Sequence, residues 1–319
     1  TLFSGGSVLG GGAARTDLVA PDLTDGLTRD QFRTLRSAFA ALPDATLLYP
    51  THGGGSFCST GSGAQRTSTL GEERAHNPAM SFDDEAEFAR WFPSTFPAIP
   101  AYFARMRGIN QAGPRLRRDI AMPGPMDASA LAVRRRDVTI VDARPAPAYL
   151  DAHIPHSMSI PFRDTFALWL GWLAGPDSPL VIVTDDAALV PQIVDEALLV
   201  GYERFAGYLD GGMAAWQAAG LSIQGAGAIS VDEAKAAAVD GAVFLDVREP
   251  EEFAAGHLES AINIPLGSLE SGADEIAAER SIIAYCQAGE RSASAVSLLE
   301  RAGIRARSLL GGIDAWQSR

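Results

Sequence analysis

The sequence predicts an α/β protein whose second half repeats one parallel-sheet fold. Three observations carry that prediction. The first is an internal repeat. "IVDARPAPAYLDAHIPHSMSIPF", starting at Ile140, returns as "FLDVREPEEFAAGHLESAINIPL", starting at Phe244, so that Asp142, Arg144, His153 and Pro161 match Asp246, Arg248, His257 and Pro265. "YLDGGMAAWQ", ending at Gln217, likewise returns as "SLLGGIDAWQ", ending at Gln317. The second is the alternation of short apolar runs with helical patterns inside each copy, which implies parallel strands with helices on both faces of the sheet. The third is length: 319 residues exceed one ordinary domain and suggest two or three.

Taken in order, "VTIVDAR" and "LVIVTDD" in the first copy, and "AVFLDVR" and "SIIAYC" in the second, are β-rich and bounded by polar residues. They read as buried parallel strands. "PQIVDEALLVG" and "SASAVSLLERAG" carry apolar residues at helical spacing and end at glycine, which suits the residue just past a helix. The Pro- and Gly-bearing stretches "AMPGPM" and "SIQGAGAIS" read as linkers. They divide the chain into domains at 1–120, 121–224 and 225–319, and the last of these is expected to fold on its own.

Composition removes some classes of function. The net charge of −13 (26 basic against 39 acidic residues) argues against nucleic acid or an anionic membrane as the main partner, since both need a basic face. Two cysteines cannot build a disulfide framework and fit a reducing, cytoplasmic setting. No apolar run has the length of a membrane span. The start "TLFSGGSVLGG" lacks the basic flank of a signal peptide.

The chemistry concentrates in "YCQAGERSASA". Cys286 ends a predicted parallel strand, where ligands of open α/β sheets sit. The loop then runs directly into a helix, so backbone N–H groups and the helix N-terminus face the sulfur, and Arg291 adds a full positive charge. Each feature favours a nucleophilic thiolate suited to sulfur or phosphorus chemistry. Gly289 permits the tight turn and Ser292 is placed to cap the helix. Cysteine phosphatases set their arginine one residue further on. Here only Gln287, Ala288, Gly289 and Glu290 intervene, and Glu290 opposes a phosphate dianion, so the ring suits a single added sulfur atom. Asp246 and Arg248 read as an ion pair bracing the loop, His257 as a residue satisfying backbone groups, and Trp316 as core or pocket wall. Aligning the two copies puts Thr184 opposite Cys286 and Leu189 opposite Arg291, with Asp185 and Asp186 beside them. The first copy therefore lacks both thiol and cation.

These residues resemble the rhodanese family of sulfurtransferases. The resemblance implies that Cys286 takes sulfane sulfur from a donor such as thiosulfate or a small persulfide, holds it as a persulfide and passes it to a thiol or cyanide, with Arg291 and the loop N–H groups holding the anionic donor. It implies no cofactor for this domain. The first copy is then a catalytically dead version of the same fold. "LFSGGSVLGGGAARTDL", "LLYPTHGGGSFCSTG" and "TSTLGEERAHNPAM", followed by "FPAIPAYFARMRGINQAGP", resemble the second half of metallo-β-lactamase-fold proteins of the glyoxalase II and persulfide dioxygenase branch, including those fused to rhodanese domains. A complete domain of that family holds iron or zinc. Here Ser4-Gly5-Gly6 stands where the family has a ligand aspartate, and His52 alone keeps a family ligand position. Cys58 in "GSFC" reads as structural. Half a sandwich exposes an apolar face, so the expectation is either a truncated domain or a partner or second copy that covers the face. Against the sulfurtransferase reading stand a metal-dependent hydrolase or dioxygenase acting through the first domain, and a non-catalytic binding module.

Overall fold

The computed structural model describes residues 1–53, 57–60, 67–225, 227–272, 276 and 281–318. Residues 55 and 56 of the "GSFC" stretch fall outside this set. The chain forms two compact units, Thr1–Pro100 and Ala101–Arg319. Residues 101–120, which the sequence groups with the first domain, belong to the second unit.

In the first unit, β1 (Leu2–Gly5) pairs parallel with β2 (Leu47–Pro50), which pairs antiparallel with β3 (Ser68–Thr69). Alternation decides which side is covered. Leu48 is buried with Phe32 of α1 (Thr24–Arg33), Leu70 of α2 (Leu70–His76) and Phe88 and Phe92 of α3 (Glu85–Ser94). Phe3, Leu47 and Tyr49 lie exposed. Thr69 caps α2 in a reciprocal capping box with Glu72.

The second unit opens with α4 (Phe103–Ala112), whose Arg105 donates to the Val200 carbonyl at 2.9 Å and lies over the Tyr202 ring. Two five-stranded parallel sheets follow. The first copy holds β4 (Pro125–Met126), β5 (Thr139–Asp142), β6 (Met158–Ser159), β7 (Leu180–Val183) and β8 (Phe205–Leu209), in the order β4-β8-β7-β5-β6. The second holds β9 (Ala228–Ile229), β10 (Val243–Asp246), β11 (Ile262–Asn263), β12 (Ile282–Tyr285) and β13 (Ala306–Leu309), in the order β9-β13-β12-β10-β11. Position for position the two orders are the same, as the repeat predicts. Strand alternation serves two faces. In β7, Val181 and Val183 meet α5 (Ala128–Arg134) on one side, while Leu180 and Ile182 meet α7 (Phe166–Leu173) and α8 (Val190–Leu199) on the other, with α6 (Ala146–Asp151) leading from β5 toward β6 and α9 (Gly212–Ala218) closing the copy.

The second copy adds α10 (Val231–Val239), α11 (Pro250–Ala255), α12 (Leu269–Gly272), α13 (Glu290–Arg301) and α14 (Gly312–Gln317). Residues Ser292 to Leu299 of α13 are all buried, and a helix covered on every side needs a partner on each. One side lies on β12 and β13. On the other, Ala293 packs against Ala146, Tyr149 and Leu150 of α6, and Ser297 Oγ accepts the Ser159 N–H at 3.1 Å. The imidazole of fully buried His153 joins Tyr149 O at 2.8 Å through Nδ1 and Glu300 at 2.8 Å through Nε2, and Arg301 donates to His156 O. Any Cβ on Gly267 would lie 2.6 Å from the Trp172 ring. One hydrophobic core therefore runs through both copies.

Candidate active site

The loop between β12 and α13 is built around the thiol. Cys286 is buried at the end of β12, and the Gly289 N–H points at its sulfur from 3.1 Å. Gly289 holds φ +101° and is the N-cap of α13, a conformation that disfavours a side chain. The helix therefore starts at Glu290. Ser292, predicted as the cap, sits one turn inside, fully buried. Its hydroxyl donates to Gly289 O at 3.0 Å and lies 2.8 Å from Ser308 Oγ and 3.8 Å from Cys286 Sγ. This one hydroxyl therefore touches the loop, β13 and the sulfur from inside the helix.

A second backbone wall closes the loop from α14. Ile313 N–H donates to Cys286 O at 2.9 Å and Asp314 N–H to Gln287 O at 3.2 Å. Gly312 makes this possible. It holds φ +59°, and a Cβ there would stand 2.2 Å from Cys286 O.

Asp246 and Arg248 form a buried ion pair beside the loop. Both are buried, with Arg248 Nε and Nη2 on the Asp246 carboxylate at 3.0 and 2.7 Å. The rest of the guanidinium reaches Gly256 O at 2.7 Å and Gln287 Oε1 at 3.2 Å, and Gln287 Nε2 in turn bonds Asp314. His257 joins Phe253 O at 2.9 Å and stacks on the Phe253 ring. Trp316 packs edge-on against Phe244.

Sequence reasoning missed the partners of the charged rim. Arg291 forms a two-pronged pair with Glu252 of α11, at 2.6 and 2.7 Å. Burial alone would lower the Arg291 pKa, but Glu252, Cys286 and Glu249 outweigh it and hold the group above its ordinary value. Arg291 in turn holds Glu252 below the usual carboxylate range. Burial pushes Glu249 up, with Glu252 adding to the rise and Arg291 opposing it. Glu290 pairs with Arg163 of the first copy. The available signal for Glu252 was its place at the third position of α11, where its carboxylate accepts the Glu249 N–H at 3.0 Å. Arg163 carries no such local signal.

The corresponding loop of the first copy is differently made. Thr184 Oγ1 bonds the backbone of Asp186, whose side chain caps the next turn by accepting from the Ala188 N–H at 2.9 Å. Leu189 packs against the shared core. Thr184 and Asp186 thus satisfy each other within the loop, while Asp185 accepts the Met213 N–H of α9 at 3.3 Å and lies 4.0 Å from Arg144.

A model of the rhodanese-like domain matches residues 127–219 and 230–319, together more than half of the chain. The chain belongs to the rhodanese family. A sulfurtransferase of Allochromatium vinosum is 35% identical over 75 residues, 23% of this chain and 70% of its own length. The chloroplastic thiosulfate sulfurtransferase 16 of Arabidopsis thaliana is 35% identical over 101 residues, covering 28% of this chain and 84% of that one. An uncharacterized protein of Bacillus subtilis is 40% identical over 76 residues, 24% of this chain and 60% of its own. Among solved structures, one described as a metallo-β-lactamase from Staphylococcus aureus is 30% identical with a TM-score of 0.53, covering 65% of this chain and 57% of that chain. The chain thus spans only part of the length of several of these proteins. Two rhodanese-like domains, and a likeness to a structure described as a metallo-β-lactamase, agree with the resemblance read from the sequence.

The iron or zinc of a metallo-β-lactamase fold would need ligands from the first unit. His52 Nδ1 lies 2.9 Å from Gly53 O. Among the described residues no three His, Cys, Asp or Glu side chains converge. At Gly6 a Cβ would meet the Ala14 Cβ at 2.8 Å, so the Ala14 side chain crowds out an aspartate at this position. The described residues do not fit a bound metal. No helix among the described residues is long and apolar enough to cross a membrane.

Proposed function

We propose that the second rhodanese copy moves sulfane sulfur through a persulfide on Cys286. The observation that carries this reading is the buried sulfur with the Gly289 N–H 3.1 Å away, at the N-terminus of α13. In the first half-reaction the Cys286 thiolate attacks the outer sulfur of a donor, thiosulfate or a low-molecular-weight persulfide. A new S–S bond forms, the donor's own bond to that sulfur breaks, and sulfite or a thiolate leaves with the electron pair. In the second, an acceptor thiolate or cyanide attacks the outer sulfur and Cys286 departs as the thiolate. The N–H and the helix dipole stabilise charge on Cys286 sulfur at the start and at the end of the cycle. No net oxidation occurs and no cofactor is required. The setting is sulfide and persulfide metabolism.

Intact mass after exposure to a small persulfide tests this. The full chain is expected to gain one sulfur atom and lose it to a thiol acceptor. Cys286→Ser should gain none there, because a neutral hydroxyl is a poor nucleophile, while Cys58→Ser should behave as wild type. Sulfur gained at Cys58, with Cys286→Ser still active, would reverse the assignment.

A further inference from the structure

We propose that Glu252 sets which sulfur donor Cys286 accepts, by keeping the Arg291 guanidinium closed to oxyanions. The inference rests on the sulfurtransferase reading above and narrows its donor to low-molecular-weight persulfides.

The charges facing the loop are already matched. Arg291 spends both terminal nitrogens on Glu252, at 2.6 and 2.7 Å. Arg248 spends its guanidinium on Asp246, Gly256 O and Gln287. Arg163 pairs with Glu290. Half-buried Glu249 adds a further carboxylate beside Arg291. The Glu252 carboxylate is fixed from a second side as well, since the oxygen that meets Arg291 Nη1 also accepts the Glu249 N–H at 3.0 Å.

Two donor classes meet this rim differently. Thiosulfate carries a sulfonate next to the sulfur that is transferred, and two-pronged recognition of an oxyanion is what a guanidinium provides. To obtain it here, thiosulfate must displace Glu252, leaving that carboxylate partly buried, unpaired and beside Glu249. An alkyl persulfide has no oxyanion at its reacting end. Cys286 sulfur attacks its outer sulfur, the donor S–S bond breaks, and the thiolate leaves with the pair and takes a proton from water. Arg291 and Glu252 stay together throughout.

The test follows the rate at which the full-length protein acquires one sulfur on Cys286, by intact mass, from thiosulfate and from cysteine persulfide. Glu252→Gln keeps the shape and an oxygen for the Glu249 N–H, but removes the charge that holds Arg291. Thiosulfate loading is expected to rise about tenfold and persulfide loading to stay within about twofold, the scale of a charge-assisted hydrogen bond. Unchanged thiosulfate loading, or a parallel fall with both donors, would overturn the inference and leave Glu252 a brace. If Glu252→Gln loses its cooperative thermal transition, Glu252→Asp replaces it. Its shorter carboxylate releases one prong, and the same change in the ratio is expected, with a parallel loss again overturning the idea. A folded wild-type protein that loads from neither donor would sink the sulfurtransferase reading and this inference with it. Loading from persulfide with selectivity untouched by either variant would sink the inference alone.

Discussion

Gly312 shows how much of this site rests on atoms that are absent. Its positive φ and its missing Cβ let α14 press two N–H groups onto the carbonyls of Cys286 and Gln287. Gly312→Ala would drive a methyl group into Cys286 O and strain the backbone as well. We expect a stability loss of about 2–4 kcal/mol, read by urea denaturation. Persulfide formation should fall further than the folded fraction does, because the loop itself is displaced. The first copy repeats the close approach, with Gly212 at φ +58° and a Cβ position 2.9 Å from Thr184 O, but there the Met213 N–H donates to the Asp185 carboxylate. Thus the turn survives in both copies, while the thiol and the cation survive in one.

At the scale of the element, α13 is the part that links the copies. Much of it was legible. The helical spacing and the terminal Gly303 placed its end, and the strand before it placed the thiol. The start was misjudged at Ser292, because a serine before an apolar run looks like a cap, whereas a left-handed Gly289 fills that role here. The burial of Ser292 to Leu299 was not legible either. Ser294 and Ser297 look like a solvent face, and only the neighbouring copy explains why small hydroxyls suit a tightly packed contact. The Arg291–Glu252 pair joins residues distant in sequence, so local pattern alone could not supply it. At the far end of α13, burial would raise the Glu300 pKa, but His153 and the His156 N–H outweigh it and hold the carboxyl below its usual range. A depressed carboxylate contributes stability that is fully present above its unfolded-state pKa and is lost as pH falls through its folded-state value. The wild-type melting temperature should therefore decline as pH drops below about 5. Glu300→Gln should lose about 2 kcal/mol at pH 7 and show a flatter decline on acidification. Thermal melts at pH 7 and pH 4 for both proteins measure this. An equally steep decline in the variant would show that Glu300 is not responsible.

At the scale of the molecule, the sequence suggested that residues 225–319 are self-sufficient, and the shared core argues otherwise. Removing the first copy would bare Ala293, Ser297 and the Trp172-facing side of Gly267, and would leave Glu300 without His153. A fragment of residues 101–319 should be monodisperse by gel filtration and load sulfur at close to the full-length rate. A fragment of residues 227–319 should aggregate or lose at least about tenfold in loading. A monodisperse, fully active short fragment would show that the shared core is dispensable. The fold and its repeat were open to reading because each strand and helix declares itself locally, whereas the dependence of one copy on the other lies in a surface that neither copy announces. The shared core also divides the inheritance of the two copies unevenly. A duplicated unit that no longer does chemistry is ordinarily released to accumulate substitutions. In the first copy that release should extend to the loop around Thr184 and Leu189 but not to Ala146, Tyr149, His153 and Ser159, which contact α13. Those four carry no reaction, yet they hold the helix behind the thiol, so harmful changes should cluster there, in the half of the pair that has lost its cysteine.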